Sequence, residues 1–194
     1  MFKFVTIPQQ ELARIRQMKK GSEYTKRLEL LGGAGPAKFT FPHKTFTIYL
    51  NDLLDKHFVP VSTGVRVIEA NNNSFYSIYD LNETNEGTEP QMFMDKNFLQ
   101  DYETAFSSIL GTKLEEEGYE VRTLNVPALN IDALWLHNQQ NRKEDKFLPV
   151  RTIEESLQKK MYNAQDFYAA LQELAQQFDT GENDTDEMKG MLGG

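Results

Sequence analysis

The run NVPALNIDALWLHN (Asn125 to Asn138) gathers the residues most able to do chemistry. It holds the only Trp of the chain and places Asp132 close to His137. A carboxylate beside an imidazole is the pairing that general acid–base and hydrolytic sites use. Strand alternation works against it here. Leu129, Ile131, Ala133, Trp135 and His137 fall on one face, and Asn130, Asp132, Leu134, Leu136 and Asn138 on the other. A hydrolase would therefore need His137 to find its carboxylate elsewhere in the chain. The competing reading is a core strand covered on both sides, with Trp135 tethered through its N–H. In that reading His137 is the one residue of the run left to carry catalysis.

Other signals fall short of a site. His43, His57 and His137 lie far apart, and neither HExxH nor HxH occurs, so no metal is expected. The chain has no Cys and no GxSxG elbow, which removes thiolate and elbow-serine nucleophiles. No cofactor is expected. The glycine-rich GGAGPAK (Gly32 to Lys38) invites a phosphate-loop reading, but Pro36 lacks an N–H and Phe39 stands where a hydroxyl residue is needed. It reads as a helix stop and linker. The acidic stretch Asp179 to Glu187 lacks the ligand spacing of a calcium loop. The final Leu192-Gly193-Gly194 matches a diglycine terminus in pattern alone.

Charge is the stronger signal. The whole chain carries −8, yet residues 1–44 hold nine Lys/Arg against three Asp/Glu, a net of +6, leaving −14 on the remainder. Arg14, Arg16, Lys19 and Lys20 gather near the end of a helical segment, where they suit the helix dipole. They are the candidate interaction residues, for an anionic polymer or for an acidic protein surface. An acidic whole argues against nucleic acid as the partner. Another protein, or a second copy, is expected instead.

These residues must be positioned by a mixture of elements. Phe2 to Thr6 alternates like a short strand, and Pro8 presets a first helical residue. Leu12, Ile15 and Met18 recur at helical spacing to about Lys20, and a second helical piece runs from Ser22 to Leu31. Phe39 to Phe41 and Thr45 to Tyr49 read as strands, and Asn51 can cap a short helix containing Leu53 and Leu54. Gly64 to Asn82 reads as a hairpin around an Asn-rich turn, followed by a polar loop, NETNEGTEP. Phe98, Tyr102, Phe106, Ile109/Leu110 and Leu114 form one helical stripe ending at Gly118. Tyr119 to Leu124 and Leu129 to Asn138 read as a long strand interrupted at Pro127, which cannot donate to a ladder and implies a bulge or an edge. After the polar turn QQNRKED comes a strand, KFLPVR. A last helix starts at Asn163 with its stripe at Phe167, Ala170/Leu171, Leu174 and Phe178.

The expected fold is α+β. Hairpins build an antiparallel sheet with a packed central helix, plus an N-terminal helical arm and a C-terminal helix. Residues 1–35 form the basic arm, 36–178 the core domain and 179–194 a flexible acidic tail. At 39% hydrophobic and 26% charged residues, the 194-residue chain suits a folded core rather than disorder. No apolar run approaches the roughly 20 residues of a membrane span. The N-terminus lacks the features of a signal peptide, so a cytoplasmic location is expected. The segment VPALNIDALWLHNQQNRKEDKFLPV (Val126 to Val150) resembles a pattern in uncharacterised bacterial proteins: a Pro-Ala-Leu strand, Ala-Leu-Trp-Leu-His, a polar turn and an apolar-Pro-apolar strand. The resemblance extends from Thr45 to the C-terminal helix. It implies a compact bacterial domain, attaches no activity and designates no catalytic residue. The expected function is non-enzymatic, acting through protein–protein interaction or self-assembly.

Overall fold

The computed structural model describes residues 1–20, 38–56, 58–71, 74–84, 87–152 and 157–191. His57, most of the Gly32–Lys38 loop, the Ser22–Leu31 helical piece and the terminal Leu-Gly-Gly lie outside the described residues. Among those described, the order is α1 (Gln9–Lys20), β1 (Lys38–Thr47), α2 (Leu50–Leu54), β2 (Val61–Asn71), β3 (Ser74–Thr84), β4 (Gly87–Phe93) and α3 (Lys96–Ile109). Then follow α4 (Lys113–Glu116), β5 (Glu120–Val126), β6 (Ile131–His137), β7 (Lys146–Arg151), β8 (Tyr162–Asn163) and α5 (Ala164–Met191).

The strands form one sheet in the order β4-β3-β2-β1-β5-β6-β7-β8. Two antiparallel meanders, β1 to β4 and β5 to β8, meet at a single parallel pair. At that seam Lys44 to Thr47 run beside Arg122 to Asn125. A parallel pair needs a long crossover, and β2 to β4 with α3 supply it. Phe2 to Thr6 contributes only a bridge from Lys3 to Glu120, not a strand of its own.

Alternation divides the core between the two faces. Leu134, Leu136, Leu148, Ile68 and Ile78 pack under the α3 stripe of Phe98, Tyr102, Phe106 and Ile109. Ala133, Trp135, Phe147, Leu124 and Val126 face the other way, against Leu53 of α2 and Phe167, Leu171, Leu174 and Ala175 of α5. Phe147 and Phe167 stack face to face at 4.5 Å. On that same face, but over the β2–β4 half, α1 seats its fully buried Ile15 on Val67, Tyr79 and Leu81. The basic helix is thus a packed layer of the sheet.

Several local expectations change. NETNEGTEP is not a loop alone: β3 runs to Thr84, and Gly87 opens the edge strand β4. Pro90 and Glu89 on that edge discourage further pairing. The stretch expected as one long strand with a bulge at Pro127 is two neighbouring strands. Pro127 begins a 3-10 turn (Pro127–Leu129), and Asn130, at φ 50°, closes it in the left-handed region where Asn is tolerated. The central helix stops at Ile109, and Gly111 takes φ +72° before α4. Asn163 accepts from the Asp166 N–H and so caps α5, which continues to Met191 through most of the segment assigned to the tail.

Gly64 marks where the sheet tolerates no side chain. A Cβ there would lie 2.1 Å from the Leu81 carbonyl oxygen, at φ +151°. Gly64→Ala is expected to cost roughly 3 kcal/mol or more, read as a lowered urea midpoint, because a central strand cannot shift to relieve the clash.

Candidate functional site

His137 closes β6, where Glu120 of β5 pairs with it. The carboxylate it lacked within its own strand arrives from the turn before β7. Asp145 is 4% exposed and accepts three bonds: from Trp135 Nε1 at 2.8 Å, from His137 Nδ1 at 3.0 Å and from the Asn138 backbone N–H at 2.7 Å. A carboxylate can only accept while ionised, so Nδ1 carries the ring proton and Nε2 is the basic nitrogen. This pairing is of the kind that orients a general base. The surroundings are closed, however. The His137 side chain is 8% exposed, and its ring stands edge-on to Trp135 at 5.3 Å. No described residue hydrogen-bonds Nε2. The trio pins the β6–β7 hairpin, and Trp135 is the residue it tethers.

Beside Trp135 lies a second sandwich. The Arg122 guanidinium sits 4.7 Å from the Trp135 ring and 4.9 Å from that of Phe46. Glu120 grips it through two bonds of 2.9 and 3.1 Å. Burial raises the Glu120 carboxyl's pKa, but bonds from Arg122 and Gln139 outweigh that and hold it below the usual carboxylate range.

Asp132 points to the opposite face, as alternation requires, and meets a network that sequence reading missed. Arg66 of β2 is 3% exposed beneath α3, bound to Asp80 of β3 by two bonds of 2.6 Å. Its third nitrogen donates to the Tyr102 hydroxyl of α3, and Asp132 Oδ1 lies 3.8 Å away. The rings of Phe93, Phe98 and Tyr102 surround the guanidinium at 5.0–5.8 Å. Burial opposes the cation, but Asp80, Tyr102 and Asp132 outweigh it and raise the Arg66 pKa well above its ordinary value. Burial likewise pushes Tyr102 up, and raises Asp132 against the pull of Arg66 and Arg151.

The polar cluster continues across the seam. The Thr123 hydroxyl of β5, beside Tyr102, lies 2.8 Å from His43 Nε2, and His43 Nδ1 lies 2.6 Å from the Phe41 carbonyl. A carbonyl can only accept, so Nδ1 carries the proton and Nε2 accepts from Thr123. Thr123 therefore donates across to β1, while Tyr102 accepts from Arg66. Asn125 Oδ1, on the strand pair that bears Asp132, is buried with no partner.

The comparisons with known proteins add nothing to this chemistry. No family model, curated protein or solved structure matches the chain. The side chains alone carry the argument. Of the four candidate cations, Arg14 is engaged in the fold: it donates to the Thr88 carbonyl of β4 at 3.0 Å and pairs with Glu11. Arg16 is exposed, and Lys19 and Lys20 end α1. Among the described residues no three His, Asp or Glu side chains are placed to hold a metal, and no helix is long and apolar enough to cross a membrane. A single buried Arg and His, spaced as ordinary strand residues, gave the sequence no signal of the network.

Two outcomes follow from it. Burial lowers the His43 pKa from 6.5 to about 4. The unfolded ring binds its proton near pH 6.5 and the folded ring only near pH 4, so this contribution is complete above pH 6.5 and is lost as pH falls towards 4. It amounts to roughly 3 kcal/mol. Urea unfolding across that range should reveal the slope, and His43→Gln should lack it. Arg66→Met, which strands Asp80, is expected to cost about 3–5 kcal/mol, and Arg66→Met/Asp80→Leu to recover part of the loss. Chemical denaturation of the two variants checks the order.

Proposed function

We propose that this is a non-enzymatic cytoplasmic bacterial protein that acts by binding another protein or a copy of itself. The observation that carries the reading is where its exposed apolar side chains collect. Tyr49 is 55% exposed, Val59 64%, Val61 49% and Phe178 39%, and among the described residues the only other such large side chain is Met1. Tyr49 immediately precedes α2, and Val59 and Val61 follow it. Phe178 extends the α5 stripe one turn beyond Leu174, which packs in the same core as Leu53 of α2. Exposed apolar residues scattered singly need no explanation, but several at one end of a sheet favour a contact surface.

The polar groups support the same reading by being occupied. Asp145 spends its carboxylate on Trp135, His137 and Asn138, and Arg66 spends its guanidinium on Asp80 and Tyr102. One observation favours a hydrolase as the second reading: the 3.0 Å contact from Asp145 that orients His137. The near-closure of that ring from solvent weighs against it. The anionic-polymer reading loses Arg14 to the β4 edge.

A photo-reactive residue at position 59 should yield discrete protein adducts in cells. The same residue at the exposed Gln100, on the α3 face, should not. Val61→Asp is expected to weaken adduct formation at least about tenfold, since it buries a charge in the contact. Absence of adducts from positions 49, 59 and 61 would overturn the reading.

A further inference from the structure

The α2 end of the molecule and the basic α1 are complementary in charge, and they lie on opposite halves of one sheet face. We infer that the occupant of the Tyr49–Val59–Val61 surface is the exposed side of α1 from a second copy, so that chains associate head to tail. This rests on the protein-binding reading and names its partner.

The helices beside the apolar surface, α2 and α5, carry exposed acidic side chains. Asp55, Glu173 and Asp179 are exposed and Asp52 is half-buried, against the exposed Lys56. Residues 176–180 of α5 are exposed, and the sequence from Asp179 to Gly194 carries five acidic residues and one Lys. Such acidity disfavours a symmetric contact of the surface with itself, which would set like charges face to face. It suits a partner that is basic, and the sequence of α1 carries Arg14, Arg16, Lys19 and Lys20 against Glu11.

The molecule's own α1 is not available for the role. Ile15 is fully buried on Val67, Tyr79 and Leu81, and Arg14 and Glu11 are both bonded to Thr88. Moving α1 to the α2 end would uncover that core. Arg16 is exposed on the docked helix, so a second copy can present it without unfolding, and Lys19 and Lys20 follow it in the sequence of α1. Different patches meeting in this way make a heterologous contact, which propagates or closes into a ring.

Sedimentation velocity over a concentration series tests the inference. In low salt the wild-type chain should form species larger than the monomer. The association should weaken at least about tenfold when salt is raised enough to screen surface charges. Val59→Asp, and separately Arg16→Glu/Lys19→Glu/Lys20→Glu, should each be monomeric with an unchanged circular dichroism spectrum. Mixed in equal amounts, they should yield a 1:1 dimer, because one supplies an intact α1 and the other an intact apolar surface. A wild-type monomer in low salt, self-association by the α1 variant, or a mixture that stays monomeric would each overturn the inference. Adducts from position 59 to a different protein would, together with a wild-type monomer, leave the protein-binding reading standing.

Discussion

The guanidinium of Arg66 organises the middle of this protein. A cation that deep in an apolar layer is costly unless every bond it can make is made. Asp80 takes two of its donors and Tyr102 a third, which fixes β3 and α3 relative to β2. Beside Tyr102, the bond between Thr123 and His43 joins β5 to β1. The one parallel pair of the sheet lies there, where two antiparallel meanders are joined. Hydrophobic burial is non-directional and would accept several placements of α3 over the sheet. The bonds of Arg66 to Asp80 and Tyr102 select one of them.

The two faces solve different problems. Under α3, ionic and hydrogen-bonding groups are enclosed among aromatic rings; the Phe41 carbonyl fixes the His43 tautomer, and the guanidinium donates to Tyr102. Under α2 and α5, packing is mainly aromatic and aliphatic. The polar groups that do enter, Asp145 and Arg122, are tied to Trp135 or laid against it. Trp135 therefore connects a hairpin turn, a cation sandwich and the α5 core.

This distribution bears on function. Among the described residues, Arg66, Asp80, Asp145 and His137 serve one another inside the fold, and exposed apolar side chains gather at the α2 end beside segregated charge. Protein contact uses those properties directly: apolar area supplies affinity, and charge selects the partner and orientation. Head-to-tail association would use both ends of one sheet face.

Much of the architecture was legible in the chain. Helical spacing placed α1, α3 and α5, and alternation assigned the two faces of β6, because side-chain period follows directly from backbone geometry. The separation of Asp132 from His137 followed for the same reason. Other features depended on residues distant in sequence. β4 was hidden in a polar stretch, because an edge strand need not be apolar. Pro127 could not say whether it bent one strand or turned between two, because that is decided by what pairs alongside. Asp145 looked like part of a solvated turn until β7 folded beside β6 and brought it under Trp135 and His137. Arg66, Asp80, Tyr102, Thr123 and His43 come from four strands and a helix, each unremarkable locally. Sequence determined the periodicities and charge segregation; only tertiary packing, by removing water from those five side chains together, determined which polar groups must bind one another.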